Sequence, residues 1–392
     1  MKKVVIIAPA NLPIPASKGG AIETIIQHLI KQNEISYSVQ LTVITPYDVD
    51  AYNISKKYEH TDFIWYKRTG IYEKIINRLN RHILCPLRKL PFISSRQEFI
   101  IKSLLKIDYD IIIVENNVEF IPILKTFIGT KKLICHLHNR FDVSADSLDA
   151  CDNVFAVSEY IKKDLLEQTH YSADKVKVLL NCVDNDDFSP SDKLRYKIRK
   201  QLGLIDGDIA ISFVGRIVEL KGVRHLIEAF KSLNAANTHL FIVGSLGGNF
   251  RESSNMISPF VKELFEIVKP IKDKVTFTGF MPNNKVHEIL NAMDIAANPS
   301  LYYEAAPVNN IEYEAMGLPI ITTNRGGVPE YVTSECAFIL NADEDLAKQI
   351  LNSFDILIKD DSLRRSMGNA GLLNAEKFYS ETYYKNFLKL IK

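Results

Sequence analysis

The sequence predicts an α/β protein built from two consecutive doubly wound domains. Short β-branched apolar runs alternate with longer amphipathic stretches along the chain, which is typical of parallel sheets covered by helices on both faces. The length of 392 residues exceeds that of one ordinary domain, and 46% hydrophobic residues suffice for large cores. A polar turn and a charged helix interrupt the alternation near residue 190. We therefore expect one domain over residues 1–188 and another over 189–376.

The predicted strands are short apolar runs bounded by turn residues. The first run follows two lysines and imitates a signal peptide, but it is shorter than the apolar region of one and leads directly into a loop. We therefore interpret it as the first buried strand. The strands predicted in the first domain comprise residues 3–9, 39–45, 110–115, 131–136, 153–157 and 175–180. Those predicted in the second comprise residues 209–215, 239–244, 275–279, 295–298, 319–323 and 337–340.

The region after Leu340 has an almost wholly helical pattern. Its last part, about residues 377–392, is rich in aromatic residues, which favours a packed helix over a free tail. We expect this helix to cross back to the first domain. Open α/β sheets bind ligands beyond the carboxyl ends of their strands, so the functional residues are expected there, in a cleft between the two domains.

Composition excludes several classes of protein. The 48 Lys and Arg residues nearly cancel the 47 Asp and Glu residues, so no overall field favours nucleic acid as a partner. No stretch approaches the roughly 18 apolar residues of a membrane-spanning helix. The cysteines are odd in number and scattered, which predicts a reduced, cytoplasmic chain without a disulfide framework or a structural metal site. They are Cys85, Cys135, Cys151, Cys182 and Cys336.

Two cations follow the first predicted strand of the second domain. The strand ends at Gly215, Arg216 stands just beyond it, and Lys221 precedes an amphipathic helix. A diphosphate would suit this pair, because Arg offers a planar fork of donors and Lys a point charge. A solvated basic loop explains the charges equally well.

A second group of candidate site residues contains three glutamates around a predicted helix start. Pro307 can occupy the first helical position, and the early backbone amides from Val308 onwards would form a binding site for a phosphate. Glu312 lies five residues beyond Pro307, about 7.5 Å along the axis, so one ligand could reach from Glu304 to Glu312. Glu314 is expected on the opposite face. A charged helix surface is the alternative for all three.

The chain resembles the retaining glycosyltransferases of family four over nearly its whole length. Gly317-Leu318-Pro319 matches the segment after the second glutamate of the family motif, which favours Glu312 over Glu314. The resemblance implies the GT-B fold of two facing Rossmann-like domains. The anchors, in the family's order, are Gly19-Gly20, His138, VSEYIKKDL at 157–165, NCVD at 181–184, VGR…LKG at 214–222, TGF at 278–280 and the Glu-x7-Glu pair Glu304/Glu312.

The resemblance also implies a role for each site residue. Arg216 and Lys221 would bind the donor diphosphate, Glu312 the ribose and Glu304 the hydroxyls of the transferred sugar. Gly20 would let the backbone approach the phosphates, because it has no Cβ. The remaining donor contacts would come from Gly19, from Phe280 and Met281 at the nucleobase, and from the backbone of Pro307, Val308 and Asn309.

Some residues depart from the family's pattern or compete for a role. Ala305-Ala306 and Asn309-Asn310 replace residues common in the family, which leaves the donor sugar open. His136 and His138 alternate along one predicted strand and could both point into the site. We prefer His138 as the catalytic histidine, because Asn139 is expected to end the strand, with His136 as its structural partner.

The function implied by the resemblance is sugar transfer from a nucleoside diphosphate donor, with UDP favoured, to a hydroxyl of a glycan or lipid-linked acceptor. The resemblance places the enzyme in bacterial cell-surface polysaccharide or glycoconjugate synthesis. The resemblance also implies that transfer would retain the anomeric configuration, with Arg216 and Lys221 stabilising the departing diphosphate. No metal is expected, and we interpret the Asp48-Val49-Asp50 tripeptide as a chance match to a metal-binding motif.

The segment 66–102 is basic and interleaved with apolar residues, which suits a surface attracted to anionic lipid at the inner face of the cell membrane. A solvated basic face is the alternative. Two other functions stay open, a sugar-nucleotide epimerase of the same fold and a non-catalytic scaffold at the membrane. A dinucleotide oxidoreductase is disfavoured, because neither glycine-rich turn reads Gly-x-Gly-x-x-Gly.

Overall fold

The computed structural model describes residues 1–67, 70, 77, 93–141, 145–233, 235–247 and 257–392. The chain divides into two compact units. The first unit comprises Met1–Leu179 and Tyr384–Lys392, and the second unit comprises Leu180–Tyr383. The NCVD segment belongs to the second unit because its backbone is bonded there: Val183 N donates to Phe378 O at 2.9 Å. The predicted boundary at residue 188 therefore lies inside the second unit.

The first unit contains a parallel sheet of seven strands in the order β3-β2-β1-β4-β5-β6-β7. Its central strand, β1, is fully buried from Val4 to Ile7, as a strand covered on both faces must be. The strands are β1 Lys2–Ile7, β2 Val39–Pro46, β3 Thr61–Tyr66, β4 Ile111–Glu115, β5 Lys132–Leu137, β6 Asn153–Ala156 and β7 Val176–Val178. The described helices are α1 Ala21–Ser36, α2 Val49–Ser55, α3 Ser95–Leu104, α4 Ile121–Ile128, α5 Ala145–Leu148 and α6 Glu159–Gln168.

The second unit contains a parallel sheet of six strands in the order β10-β9-β8-β11-β12-β13. Along β8, Ala210 belongs to one buried apolar cluster while Ile211 and Phe213 belong to the other, so each sheet face has its own core. The strands are β8 Ile209–Val214, β9 Thr238–Val243, β10 Val275–Gly279, β11 Ile295–Asn298, β12 Ile320–Thr323 and β13 Ala337–Leu340. The described helices are α7 Asp192–Gln201, α8 Val223–Ser232, α9 Pro259–Val268, α10 Asn283–Leu290, α11 Val308–Ala315, α12 Val328–Tyr331, α13 Leu346–Lys359, α14 Asp361–Ala375 and α15 Ser380–Leu390.

The predicted fold class is confirmed, and every predicted strand is present with its ends displaced by no more than two residues. One strand, β3, was not predicted. Its sequence TDFIWY lacks a regular alternation. Within the described part of the chain it pairs only with β2, at the edge of the sheet, where burial imposes little pattern. Asp48, in the tripeptide interpreted as a chance match to a metal-binding motif, caps α2 and accepts hydrogen bonds from the amides of Asp50 and Ala51 at 3.0 and 3.1 Å.

The last helix, α15, begins in the second unit, and its residues from Tyr384 belong to the first. Tyr384 Oη donates to Asn33 Oδ1 at 2.6 Å, and Phe387 and Ile391 are buried. Lys2 Nζ donates to the carbonyl oxygen of Ile391 at 2.8 Å. The end of the chain is thus an integral part of the first unit.

Most of the basic segment 66–102 lies outside the described residues. Among the helices that the structure does describe, none has the length and apolar character required to cross a membrane. The described cysteines are all free and buried, namely Cys135, Cys151, Cys182 and Cys336.

Candidate active site

The loop after β8 carries the two predicted cations of the second unit. Arg216 is exposed just beyond the strand, and Lys221 ends a short 3-10 turn, Glu219–Lys221. Gly222 follows with a left-handed φ of 69° and starts α8. A Cβ at this position would overlap the carbonyl oxygen of Pro299, so only glycine allows the loop to lie this close to the β11 end.

Lys221 and Glu304 form an ion pair. Lys221 Nζ donates to Glu304 Oε1, and Ser300 Oγ donates to the same oxygen at 2.6 Å. Both loops are held together by their backbones, because Leu220 O accepts from the amides of Leu301 and Tyr302 at 2.9 and 3.1 Å. The structure therefore brings one predicted cation and one predicted acid into direct contact, and Glu304 is buried.

The main chain of Glu304 is fixed by the glycine pair after β12. Gly327 N donates to Glu304 O at 2.7 Å, and Glu304 forms an isolated parallel bridge with Gly326. Gly326 has a left-handed φ of 63°, and a Cβ there would overlap the Glu304 backbone. The carboxylate of Glu304 is thus held from both sides, by its side-chain partners and by its own backbone.

The helix that carries the other acid starts one residue later than predicted. Pro307 has a ψ of 82° and precedes the first helical residue, Val308, so the prediction that Pro307 occupies the first helical position is wrong. The turn before the helix also uses two of the amides expected to be free: Val308 N donates to Ala306 O at 3.1 Å and Asn310 N to Pro307 O at 2.9 Å. No described residue accepts a hydrogen bond from the Asn309 amide.

The two acids of α11 differ in their partners. Glu312 is buried, and no hydrogen bond or ion pair from a described residue reaches its carboxylate. Burial raises the pKa of Glu312 from 4.5 to about 8. Burial also raises the pKa of Glu314 to about 7, but the carboxylate of Glu314 has hydrogen-bond partners. Asn374 Nδ2 donates to Glu314 Oε1 at 3.0 Å, and Cys336 Sγ donates to the same oxygen at 3.1 Å. The charged-surface interpretation is wrong for Glu304, Glu312 and Glu314, which are all buried.

The unusual asparagine pair ties α11 to two strand ends. Asn298 Nδ2, at the end of β11, donates to Oδ1 of Asn309 at 3.1 Å and of Asn310 at 2.9 Å. Asn309 Nδ2 donates to Val214 O at 3.1 Å, and Val214 N donates to Tyr313 Oη at 2.8 Å. These amides therefore anchor the helix carrying Glu312 to the strand that precedes Arg216. Sequence reasoning missed Tyr313, which an apolar pattern cannot distinguish from a core residue.

The residues predicted to contact the nucleobase, and the Gly19-Gly20 pair of the first unit, lie in loops. Phe280 and Met281 follow β10 directly and are half-buried. In the first unit, Gly19 and Gly20 precede α1 with φ values of 72° and 102°, and a Cβ on Gly19 would meet open space. A Cβ on Gly20 would meet the Glu23 carboxylate, which is folded back onto the helix start.

The first unit also contains a buried group of titratable residues at the carboxyl ends of β4 and β5. His138 Nε2 lies 2.7 Å and His136 Nδ1 3.1 Å from Glu115 Oε2. The strand ends at Leu137, one residue after the end of the predicted range 131–136 and two residues before Asn139, so His138 lies just beyond the strand. Sequence reasoning used Glu115 only as a strand end, although an acid that terminates a buried apolar run was the available signal.

The charges in this group follow from burial and mutual contact. Burial alone would raise the pKa of Glu115, but attraction to His136 and hydrogen bonds from both imidazoles outweigh it and lower that pKa to about 2. Burial lowers the pKa of His138 to about 4, with a smaller contribution from His136. Near neutral pH the group therefore contains an ionised Glu115 and a neutral His138.

The same three residues are the one group in the described part of the chain that could hold a metal ion. Their ligand atoms lie within 4.8 Å of one another. One carboxylate and two imidazoles suit zinc or another first-row metal. However, Glu115 Oε2 already accepts hydrogen bonds from both rings, so the ligand atoms satisfy each other without an ion.

Comparisons with known proteins agree with this architecture. The family model described as Glycosyltransferase Family 4 matches residues 39–187, and the model described as Glycosyl transferases group 1 matches residues 195–373. Spore coat protein SA of Bacillus subtilis is 25% identical over 390 residues, covering 95% of this chain and 94% of that protein. Lipopolysaccharide 1,2-N-acetylglucosaminetransferase of Salmonella typhimurium is 22% identical, covering 100% of this chain and 98% of that enzyme.

Solved structures share the fold. Anabaena HepE, in complex with UDP and glucose, superposes with a TM-score of 0.77 at 18% identity, covering 100% of this chain and 99% of that one. A glycosyltransferase from Rickettsia africae superposes with a TM-score of 0.78 at 18% identity, with the same coverage. These similarities show the fold of the chain.

Proposed function

The chain belongs to glycosyltransferase family four and has the GT-B fold, and on this premise we propose that it transfers a sugar from a nucleoside diphosphate to a hydroxyl with net retention. The acceptor is a glycan or a lipid-linked saccharide of bacterial cell-surface synthesis. UDP is the proposed nucleotide, a choice supported by the UDP and glucose bound in the HepE structure. The observation that carries the proposal is the buried Glu312, which lacks a partner among the described residues while the adjacent loop holds the Lys221–Glu304 pair.

The donor site uses charges and hydrogen bonds that the loops of the second unit present. Arg216 and Lys221 bind the diphosphate, and the backbone of Pro307, Val308 and Asn309 contributes to the phosphate and sugar contacts. Glu312 accepts hydrogen bonds from the ribose. The remaining donor contacts are Phe280 and Met281 at the nucleobase, and Gly19 and Gly20, where the absence of a side chain admits a phosphate.

Glu304 positions the transferred sugar. Its Oε1 is committed to Lys221 and Ser300, and Oε2 has no hydrogen bond to a described residue, so Oε2 is available to a sugar hydroxyl. Cleavage of the glycosidic bond leaves an oxocarbenium-like sugar while the cations stabilise the departing diphosphate. The acceptor hydroxyl attacks from the same face and its proton passes to the departing phosphate, so no nucleophilic carboxylate is needed. His138 contacts the acceptor hydroxyl.

Donor titration tests the proposal. UDP-sugars and GDP-sugars are titrated calorimetrically against the wild type, Glu312→Ala and Asp206→Asn, which neutralises an exposed carboxylate as control. We expect Glu312→Ala to weaken binding of the preferred nucleotide sugar about tenfold to a hundredfold, because it removes the buried carboxyl group that bonds the ribose hydroxyls. Unchanged affinity in that variant excludes the ribose role.

Two further assays separate this function from its alternatives. Incubation with donor alone distinguishes an epimerase, which converts the sugar, from a transferase, which releases at most a slow hydrolysis product. Turnover in excess chelator is expected to be undiminished, since Arg216 and Lys221 supply the positive charge. Strict dependence on magnesium or manganese contradicts that part of the proposal.

The basic segment 66–102 supports peripheral attachment to an anionic membrane, and thus action at its inner face. Sedimentation with liposomes measures this. Binding that rises with the fraction of anionic lipid and falls with salt supports attachment, whereas sedimentation independent of anionic lipid excludes it.

A further inference from the structure

Two adjacent residues at the end of β4, Glu115 and Asn116, hold His138 at two separate points. We propose that they are positioning residues that fix the imidazole ring and the main chain of His138 for contact with the acceptor hydroxyl. The inference rests on the proposed function, because His138 matters only if this site performs transfer. Neither residue belongs to the donor site in the second unit.

The first contact fixes the ring. Glu115 Oε2 lies 2.7 Å from His138 Nε2, and both side chains are buried. An ionised carboxylate can only accept hydrogen bonds, so Nε2 of a neutral His138 must carry the hydrogen. That tautomer leaves Nδ1 as the acceptor atom of the ring, which is the state needed to receive a hydrogen bond from a hydroxyl.

The second contact fixes the backbone. Asn116 Oδ1 accepts from the His138 amide at 2.8 Å, and the Asn116 amide donates to His136 O at 3.0 Å. Asn116 has a φ of 56°, a left-handed conformation that is uncommon outside glycine and better tolerated by Asn than by most residues. This turn directs the side chain back across the end of β5, so that one dipeptide contacts both the ring and the amide of the same histidine.

His136 contacts the same carboxylate oxygen of Glu115 as His138 does. Its Nδ1 lies 3.1 Å from the same Oε2, and its ring centroid lies 4.0 Å from that of His138. The carboxylate is therefore held between two imidazoles, which restricts its rotation. Nε2 of His136 is buried without a hydrogen-bond partner among the described residues, so this ring has no second anchor and relies on Glu115.

These distances favour a hydrogen-bonded network over a metal centre. A bound zinc ion would need each ligand atom about 2.0–2.2 Å from the ion and without a proton. Here one carboxylate oxygen lies at hydrogen-bond distance from both ring nitrogens, which requires protons between them. During transfer the acceptor proton still ends on the departing phosphate, and Glu115 gains none.

The test uses the full chain with Glu115→Gln and Asn116→Ala. Their matched controls are Glu119→Gln, an exposed acid on the next turn, and Asn117→Ala, whose φ of −112° is not left-handed. Release of UDP from UDP-glucose or UDP-N-acetylglucosamine in the presence of a panel of glycan acceptors, above the rate with donor alone, measures turnover, and calorimetry with UDP measures nucleotide affinity. Nitrogen NMR of labelled imidazoles reports the tautomer of His138, and circular dichroism confirms that each variant is folded.

We expect Glu115→Gln to lower kcat about tenfold to a hundredfold with unchanged affinity for UDP, and to change the tautomer signal of His138. Asn116→Ala should lower kcat while leaving the tautomer intact, because it removes the bond to the His138 amide and places Ala in a left-handed conformation but leaves the bond to the ring. Wild-type kcat or an unchanged His138 tautomer in folded Glu115→Gln overturns the proposal. Stoichiometric binding of Zn²⁺ or Co²⁺ that is lost in Glu115→Gln also overturns it. The NMR readout needs no turnover, so a wild type without transferase activity refutes the proposed function separately.

Discussion

Glu312 and Glu314 lie two residues apart on α11, are both buried and both have raised pKa values, yet they differ in their partners. Glu314 is bonded to Asn374 and Cys336 and stabilises the packing of α14 on α11. Glu312 lacks such partners among the described residues, and a buried polar group left unpaired costs free energy. A ligand hydroxyl that binds to Glu312 would offset this cost, so Glu312 is a better candidate for ligand binding than Glu314.

This difference predicts the pH dependence of stability. The pKa of Glu312 is 4.5 when unfolded and about 8 when folded, so the folded state keeps a proton that the unfolded chain releases. Its contribution to stability is complete below pH 4.5 and is lost as the pH rises through 8, at about 1.4 kcal/mol per pH unit. Glutamine resembles the protonated acid, so we expect Glu312→Gln to lose less stability over this range than the wild type.

Urea unfolding followed by circular dichroism at several pH values measures the difference. Glu23 and Glu314, whose pKa values are also raised to about 7, titrate in both proteins and cancel in the comparison. Asp206→Asn is the control for loss of a surface charge, and it should follow the wild type. Parallel pH profiles for Glu312→Gln and the wild type contradict the prediction.

The residue scale also shows what the sequence can and cannot predict. The motif register distinguished Glu312 from Glu314, and the structure gives the two side chains different surroundings. The ion pair between Lys221 and Glu304 was not foreseen, because its partners are 83 residues apart and meet only through the paths of two loops. Contacts of this kind depend on tertiary geometry that no local pattern contains.

At the scale of elements, the strand ends and the turns after them position the candidate site. Strands of the second unit were predicted well because both of their faces are buried, which imposes continuous apolar runs. The edge strand β3 was not predicted, because an edge strand is half-exposed. The first residue of α11 was predicted wrongly, because the start of a helix depends on its cap. Glycines at these turns explain why the loops can approach each other.

Gly222 gives a test at this scale. Gly222 and Gly203 have similar left-handed φ values of 69° and 73°, but a Cβ at Gly203 would meet open space. Gly203→Ala should therefore cost only the left-handed strain, about 1–2 kcal/mol. Gly222→Ala should cost more and weaken UDP binding, because the added methyl overlaps the Pro299 backbone and displaces Lys221. Thermal unfolding and calorimetry measure both effects, and equal losses in the two variants contradict the argument.

At the scale of the whole molecule, chain order does not follow the division into units. The alternation of strands and helices predicted both sheets, whereas the return of the C-terminal helix was predicted only from its aromatic content. Asn33 shows how the return is fixed: its side chain bonds the backbone of Val39 and accepts from Tyr384 Oη at 2.6 Å. One buried amide thus joins α1, β2 and α15.

The last turns of α15 should therefore stabilise the first unit directly. Phe387 is 2% exposed, and Phe387→Ala should cost about 3–5 kcal/mol because it leaves a cavity under the helix. Trp65, the single tryptophan, lies in β3, so its fluorescence reports unfolding of the first unit. Asn386→Ala alters the exposed neighbouring position and is the control. We expect the thermal unfolding transition reported by Trp65 to move to lower temperature in Phe387→Ala and not in Asn386→Ala. A helix that merely rested on the surface would unfold first, and the two variants would then show the same Trp65 transition.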